Sequence, residues 1–126
     1  MIIGTGIDIV EISRVKNASL KWKNNFLKRI FTDKEIAYSS ERTYSYQHLA
    51  ARFAAKEAVL KAFGDSWKKR AEWTDIEIWN EKSGKPIVQL HGHIKKVKDK
   101  MKVDDIIISL SHTRTYAVAS AILVKK

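Results

Sequence analysis

The sequence predicts an α+β fold in which a mostly antiparallel sheet packs against helices. Apolar residues recur at helical spacing mainly before Gly64, whereas short β-branched segments separated by turn residues dominate the second half. The chain has 126 residues with 44% hydrophobic content, which suits one modest core, and it contains no repeat or linker composition. We therefore expect residues 1–126 to form a single domain.

The first predicted element is a β-branched strand from Ile2 to Ile12. Because side chains alternate along a strand, Ile3, Ile7 and Ile9 share one face and Asp8 takes the other. A carboxylate in the middle of such a strand is costly unless it is paired or binds a metal ion. Asp8 is therefore a candidate metal ligand.

Two helices are predicted next. Between Ser13 and Ile30 the helical spacing is carried by Val15, Ala18, Trp22, Phe26 and Ile30. Thr32 and Glu35 then form a capping box, which predicts a short helix through Tyr38. Residues 39–47 are expected to be an exposed connection.

A further helix is predicted from about His48, with Gly64 as its C-terminal cap. Lys56 falls within its apolar stripe, and Glu57 and Lys61 lie one turn apart on the adjoining face. One interpretation is a surface Glu–Lys pair worth roughly 0.2–0.5 kcal/mol, with Lys56 reaching solvent along its stem. The other is a carboxylate that holds a divalent cation and a lysine that meets a phosphate bound to that cation. The helix alone leaves both open.

The second half is predicted to contain two hairpins and one helix, after a loop from Gly64 to Arg70. Turn residues between Asn80 and Pro86 separate the strands of the first hairpin. The expected elements are Trp73–Trp79, Ile87–Leu90, a basic helix Ile94–Met101, Ile106–His112 and Tyr116–Val124. His112, at a strand end, suits phosphate binding or a general base, although it would equally suit a backbone hydrogen bond.

The composition favours an anionic partner. The net charge is +10 and the pI is near 9.8, which is compatible with nucleic acid, an acidic membrane or an acidic protein. The absence of cysteine excludes disulfide and thiolate chemistry. No signal-peptide pattern or apolar run of 18 residues occurs, so we expect a soluble, cytoplasmic protein.

Three fragments occur in the order and spacing of a known family. They are Gly6-Ile7-Asp8-Ile9-Val10-Glu11-Ile12, Phe53-Ala54-Ala55-Lys56-Glu57-Ala58-Val59-Leu60-Lys61-Ala62 and Ser109-Leu110-Ser111-His112-Thr113, with Gly84-Lys85-Pro86 in a turn. Together they resemble the holo-[acyl-carrier-protein] synthase family over essentially the whole chain. The resemblance implies a 4′-phosphopantetheinyl transferase-like fold and Mg²⁺-dependent transfer of phosphopantetheine from coenzyme A to a serine of apo-acyl carrier protein. Adenosine 3′,5′-bisphosphate is then released, and the reaction serves fatty acid biosynthesis.

The resemblance also implies site residues. Asp8 and Glu57 match the Mg²⁺ ligands, and Lys61 would act with them on the coenzyme A phosphate. The residues expected to contact coenzyme A are Arg52, Lys61, Gly64, Ser111 and His112. Glu57 or a metal-bound water would accept the serine proton, and the sequence leaves that choice open.

The first predicted helix offers a surface for the acidic acyl carrier protein. It contains six basic residues and no acid between Arg14 and Ile30: Arg14, Lys16, Lys21, Lys23, Lys28 and Arg29. The expected docking residues are Arg14, Lys21, Trp22, Phe26 and Lys28. The same helix would also fit a core-facing element with a solvated basic rim. The family implies a homotrimer with sites between subunits, and we expect no nucleic acid or membrane partner.

Two points qualify the resemblance. The segment Asp65-Ser66-Trp67-Lys68-Lys69-Arg70 replaces a run that is commonly glycine-rich in the family, so its basic residues would have to supply the phosphate contacts. The alternative function is a non-enzymatic nucleic-acid-binding module, which the basic charge supports. That alternative leaves Asp8 and Glu57 without a purpose, because carboxylates repel a phosphate backbone.

Overall fold

The computed structural model describes residues 1–64 and 71–126. Within these residues the chain forms five strands and five α-helices. In chain order they are β1 (Ile2–Glu11), α1 (Ile12–Trp22), α2 (Asn24–Ile30), α3 (Asp33–Ser40), α4 (Ser45–Phe63), β2 (Ile76–Asn80), β3 (Pro86–Leu90), α5 (Gly92–Met101), β4 (Asp105–His112) and β5 (Tyr116–Val124). A 3₁₀ turn, Trp73–Asp75, precedes β2.

Two antiparallel sheets account for all the described strands. One has the order β1-β5-β4, and the other is the β2-β3 hairpin. In the first sheet Asp8 of β1 pairs with Ala119, and Leu110 of β4 pairs with the same residue from the opposite side. The prediction of an α+β fold with mostly antiparallel strands is confirmed.

Helix α4 packs against one face of the three-stranded sheet at unusually close range. A Cβ atom on Gly4 would lie 2.2 Å from the carbonyl oxygen of Ala62, and one on Gly6 would lie 2.0 Å from that of Ala58. Any side chain larger than hydrogen would therefore separate strand and helix. This contact brings Asp8 of β1 beside the C-terminal half of α4.

The prediction of one helix from Ser13 to Ile30 is wrong. The chain forms two helices, because Lys23 adopts φ 49° and ψ −127° and interrupts the α-helical backbone. A non-glycine residue with positive φ is uncommon, and only the packing of α1 and α2 against the body of the molecule reveals it. Trp22, which ends α1, is 55% exposed rather than part of a buried stripe.

Several helix and strand boundaries in the structure differ from the predicted ones. Helix α3 continues to Ser40 and α4 begins at Ser45, so the connection is 41–44 rather than 39–47. Ser39, expected to be exposed, is buried. The first strand after the loop begins at Ile76, because Trp73–Asp75 is a 3₁₀ turn. The loop expected from Gly64 to Arg70 lies outside the described residues after Gly64.

Lys56 is completely buried, so the interpretation in which it reaches solvent is wrong. Its Nζ donates a hydrogen bond of 2.8 Å to Glu35 Oε1 and one of 3.0 Å to the carbonyl oxygen of Trp73, and it also contacts that of Ile76. Neither side chain of the Lys56–Glu35 pair has any exposed surface. Burial lowers the pKa of Lys56, although the charge of Glu35 opposes this effect.

Glu35 links three elements. As predicted, it completes a capping box with Thr32: the Thr32 amide donates to Glu35 Oε1 at 2.8 Å, and the Glu35 amide donates to the Thr32 hydroxyl. Its other oxygen accepts a hydrogen bond of 2.9 Å from the amide of Ile78. The same carboxylate therefore caps α3, pairs with Lys56 of α4 and fixes β2.

The sheet face opposite α4 is apolar and open. Ile7 and Ile9 are 65% and 63% exposed, and Ile107 of β4 is 49% exposed. The strand register places Val118 and Ile122 of β5 on the same face. We call this surface the open sheet face. No helix among the described residues is long and apolar enough to cross a membrane.

Candidate active site

A cleft of about 550 Å³ lies between β1, α1 and α4. Asp8, Glu57 and Lys61 all line it, and we call it the carboxylate cleft. Lys61 Nζ donates a hydrogen bond of 2.9 Å to Asp8 Oδ1 and one of 3.0 Å to the carbonyl oxygen of Ile7. The interpretation of Lys61 as only a partner of Glu57 is therefore incomplete, since its charge is also matched by β1. Its side chain is 44% exposed and accessible to a ligand.

The cleft suits a hard divalent cation that is held jointly with a substrate. Its two carboxylates, from Asp8 and Glu57, supply the oxygen donors that Mg²⁺ prefers. The described residues contain no group of three or more His, Cys, Asp or Glu side chains that could hold a metal ion by themselves. An ion at this position would therefore depend on substrate phosphates and water to complete its coordination.

A second group of polar side chains lies around the N-terminal half of α4. We call it the cationic cluster, and it consists of Tyr38, Arg42, His48, Arg52 and His112. The His48 ring is 5.8 Å, centroid to centroid, from both the Tyr38 and the His112 rings. The guanidinium carbons of Arg42 and Arg52 lie 4.0 and 4.1 Å from the Tyr38 ring centroid. Two guanidinium groups and one imidazole thus contact the Tyr38 ring, and the second imidazole, His112, contacts the first.

Arg52 is the anchor of this cluster. It is 2% exposed, and it donates hydrogen bonds to Asn80 Oδ1 and, at 3.4 Å, to the carbonyl oxygen of His48. Its Nε is buried and has no hydrogen-bond partner. A buried, unsatisfied donor on a cation is costly, so the position of Arg52 is fixed by the packing around it rather than by a full set of hydrogen bonds.

The charges of the cluster shift its titratable groups. Burial lowers the pKa of His48, and the positive charges of Arg52, His112 and Arg42 lower it further. Burial raises the pKa of Tyr38, but hydrogen bonding to Arg42 and the charge of Arg52 outweigh burial, so the net shift is downward. The three groups that lower the pKa of His48 are all basic, and a cluster of basic groups attracts anions.

The carboxylate cleft and the cationic cluster lie on different sides of α4. Arg52 precedes Glu57 by five positions, which separates their side chains by about 140° around the helix axis. Neither Arg52 nor His112 lines the carboxylate cleft. A single chain therefore presents two separate parts of the predicted site.

Comparison with known proteins decides the family. The family model of the 4′-phosphopantetheinyl transferase superfamily matches residues 4–121. The chain belongs to this superfamily. It is 45% identical over 124 residues to the holo-[acyl-carrier-protein] synthase of Clostridium tetani, covering 98% of this chain and 96% of that one. The enzyme predicted by the sequence resemblance, a phosphopantetheinyl transferase of holo-[acyl-carrier-protein] synthase type, is confirmed.

Solved structures give the same answer. The crystal structure of the holo-[acyl-carrier-protein] synthase of Neisseria meningitidis is 29% identical with a TM-score of 0.89, covering 99% of this chain and all of that one. That of Bacillus anthracis, in complex with CoA (3′,5′-ADP), is 33% identical with a TM-score of 0.79, covering 100% of this chain and 99% of that one. These matches do not favour the nucleic-acid-binding alternative.

Of the residues expected to dock the acyl carrier protein, some line the carboxylate cleft and others lie on the surface beside it. Arg14 and Phe26 line the carboxylate cleft. Trp22 and Phe26 line an adjacent, largely apolar cavity of about 410 Å³. Lys21 lies over the Trp22 ring at 5.0 Å, and Lys28 is exposed in the last turn of α2.

Two further residues expected at the coenzyme A site lie apart from both groups. Gly64 caps α4 with φ 97°, and it is followed by the segment outside the described residues, which includes Lys68, Lys69 and Arg70. Ser111 is exposed, and its pairing with Val118 puts it on the open sheet face rather than with His112. Neither residue lines the carboxylate cleft.

Sequence reasoning did not select Tyr38, Arg42 or His48. One signal was available for His48, which lies four residues before Arg52 and therefore on the same side of α4. Tyr38 and Arg42 join the cluster only because α3 and the connection after it pack against α4. No local pattern marks that contact.

Proposed function

We propose that this enzyme transfers the 4′-phosphopantetheine group of coenzyme A to a serine hydroxyl of apo-acyl carrier protein, with Mg²⁺, and releases adenosine 3′,5′-bisphosphate. The observation that carries the proposal is the meeting of Asp8, Glu57 and Lys61 in one solvent-accessible cleft. Residues 1–126 would form a single domain, located in the cytoplasm and serving fatty acid biosynthesis.

Asp8 and Glu57 would hold the Mg²⁺ ion. When bound, the ion would neutralise charge on the coenzyme A pyrophosphate and orient it for attack. Lys61 is held beside Asp8 but remains partly exposed, so its ammonium can contact a phosphate oxygen without leaving the cleft. The serine nucleophile belongs to the carrier protein, and Glu57 is the residue of this chain that we assign as acceptor of its proton.

The cationic cluster would hold the nucleotide end of coenzyme A. Its 3′-phosphate is a dianion near neutral pH, and Arg52 and His112 offer donors from two different elements. Because Arg52 is 2% exposed, it would attract the phosphate mainly through its charge, and the exposed His112 would supply the direct contact.

The acyl carrier protein would dock on α1 and α2. Exposed Trp22 and the half-buried Phe26 supply apolar anchors, and Arg14, Lys21 and Lys28 supply positive charge around them. An acidic partner helix placed there would lie beside the carboxylate cleft, since Arg14 and Phe26 line it. Its serine would then reach the phosphate in that cleft.

We propose that the working enzyme is a homotrimer assembled through the open sheet face. Three isoleucines on that face, Ile7, Ile9 and Ile107, are about half or more exposed, which is costly for an isolated chain. The cationic cluster and the carboxylate cleft lie on different sides of α4 within one chain. Association would allow the cluster of one subunit and the cleft of its neighbour to share one coenzyme A molecule.

Intact-mass spectrometry tests the transfer directly. Apo-acyl carrier protein incubated with this enzyme, coenzyme A and Mg²⁺ should gain the mass of one phosphopantetheine group. EDTA and Glu57→Gln should each abolish the gain, because EDTA removes the Mg²⁺ ion and the substitution removes one of its proposed carboxylate ligands.

Glu81→Gln is the matched control. Glu81 is an exposed carboxylate in the β2-β3 turn, outside the cleft, so this variant should transfer at the wild-type rate. Absence of a mass gain with several carrier proteins, under conditions in which the enzyme is folded, would contradict the proposed function. Transfer that persists in Glu57→Gln would contradict the assigned metal site.

A further inference from the structure

We propose that His48 is a positioning residue whose protonation is coupled to binding of a phosphate dianion at the cationic cluster. This inference rests on the proposed function for the identity of the natural ligand, the 3′-phosphate of coenzyme A. It makes affinity for that phosphate dependent on pH through a residue of α4 that the family resemblance did not mark.

The geometry places His48 at the centre of the cluster. Its ring packs edge-to-face with Tyr38 of α3 and with His112 of β4, each at 5.8 Å between centroids. Its own carbonyl accepts a hydrogen bond from the buried Arg52, one helical turn later. An anion bound by Arg52 and His112 therefore lies within the electrostatic reach of the His48 ring.

The charges around His48 explain why an empty site favours the neutral ring. The groups that act on it are Arg52 on its own helix, His112 at the end of β4 and Arg42 in the α3–α4 connection, while Tyr38 of α3 contacts it as a ring. All three groups are basic, and they lower the pKa of His48 together with burial. Arrival of a dianion reverses the local field, so the ring gains a proton as the phosphate binds.

The direction of the pH effect follows from linkage. His48 has a higher pKa in the phosphate complex than in the free enzyme. The extra affinity for phosphate is therefore fully present below the pKa of His48 in the free enzyme. It is lost as the pH rises through the pKa of His48 in the complex. His48→Phe keeps an aromatic ring of similar shape and removes this coupling.

The test is calorimetric titration with adenosine 3′,5′-bisphosphate between pH 5.5 and 8, in buffers of different ionisation enthalpy, with 5′-AMP as the ligand that lacks a 3′-phosphate. We expect the wild-type affinity to fall about 10-fold more across this range than that of His48→Phe, corresponding to about one unit of pKa coupling. The ligand phosphate, whose second pKa is about 6, titrates equally in the wild-type and His48→Phe experiments, so its contribution cancels from the difference between them. Wild-type binding should also take up more protons than the variant.

Three controls make the result decisive. His48→Gln should behave like His48→Phe and replaces it if that variant does not fold. His93→Phe, on α5, should keep the wild-type pH dependence. In the transfer assay at pH 6.5, His48→Phe should raise the KM for coenzyme A and leave kcat unchanged, because His48 does not touch the reacting atoms.

The inference fails if the variants keep the wild-type pH dependence, if 5′-AMP shows the same proton uptake as the bisphosphate, or if the bisphosphate does not bind. A failure of the proposed function is a different result. In that case the carrier protein gains no mass, while the calorimetric comparison still decides the role of His48.

Discussion

Two lysines on α4, five positions apart, have opposite environments. The Lys56 side chain has no exposed surface and is neutralised by Glu35, whereas that of Lys61 is 44% exposed beside Asp8. Only the exposed ammonium can meet a substrate phosphate without breaking a buried pair. At the scale of single residues, this difference separates a lysine that holds the fold together from one that is available for chemistry.

Replacing Lys56 with methionine should lower the free energy of unfolding by about 3–5 kcal/mol. The change leaves the Glu35 carboxylate buried without its counter-ion, while the volume of the side chain is nearly kept. Urea denaturation of Lys56→Met, beside the exposed control Lys95→Met, measures the effect. Adding Glu35→Gln to Lys56→Met should recover much of the loss, and a single-variant loss below about 1 kcal/mol would contradict the buried-pair interpretation.

At the scale of elements, the position of the cleft depends on how closely β1 approaches α4. The two glycines of β1 remove the side chains that would hold the elements apart, and Asp8 follows them on the same face. Asp8 therefore lies beside the helical turn that carries Glu57 and Lys61. The arrangement of the cleft is a consequence of backbone packing as much as of residue type.

Gly6→Ala should disrupt both stability and transfer. Its Cβ would lie 2.0 Å from the carbonyl oxygen of Ala58, so β1 and α4 must separate. We expect a loss of about 1–3 kcal/mol or more and a large fall in kcat/KM as the two carboxylates move apart. Thermal denaturation and the transfer assay measure these effects. Glu81→Ala, an exposed change in the β2-β3 turn, is the control, and wild-type activity in Gly6→Ala would contradict this account.

The break at Lys23 divides the basic surface into two short helices that present their charges separately. Reversing charge at Lys21 and Lys28 should lower kcat/KM for the acyl carrier protein by about an order of magnitude and weaken its dependence on salt. The KM for coenzyme A should not change. Initial rates at varied ionic strength give both quantities. Charge reversal at Lys95 and Lys96 of α5 is the control, because it changes the net charge by the same amount. An equal loss of kcat/KM in that variant would indicate that the overall charge, and not the surface of α1 and α2, recruits the partner.

At the scale of the whole molecule, one face of the main sheet packs on α4 and the other remains open. The open sheet face is apolar at both edge strands, with small serines between the isoleucines where Ser120 pairs with Ser109. Self-association would cover this surface and bring the two separated parts of the site together. Assembly and activity are therefore expected to depend on the same residues.

Ile7→Ser combined with Ile107→Ser should dissociate the proposed trimer into monomers and reduce transfer by at least 10-fold, and neither residue lines the carboxylate cleft. Both side chains lie on the open sheet face and away from α4, so the fold of each chain should persist. Sedimentation velocity measures the assembly, and circular dichroism checks the fold. A variant that remains trimeric, or a monomer with full activity, would contradict the proposed assembly.

Much of this protein followed from local sequence. The capping box of Thr32 and Glu35, the two hairpins and the placing of Asp8 opposite Ile7 and Ile9 depend on residues close together in the chain, and the structure bears them out. Ile3, expected on the same face as Ile7 and Ile9, instead packs against the core, because the register of β1 shifts between Ile2 and Gly4. The three family fragments likewise identified the enzyme, because they occur in the order and spacing of that family. The sequence by itself therefore determined the fold class, the family and the three residues that meet in the carboxylate cleft.

The tertiary structure decided the environment of each charge. The pairing of Lys56 with Glu35 joins residues 21 positions apart, and the His48–His112 contact joins α4 to β4. The break at Lys23, which periodicity alone missed, also depends on packing. Burial and electrostatic shifts arise from neighbours that are distant in sequence, so only the folded chain shows which lysine is buried, which imidazoles share a site and which sheet face is left open.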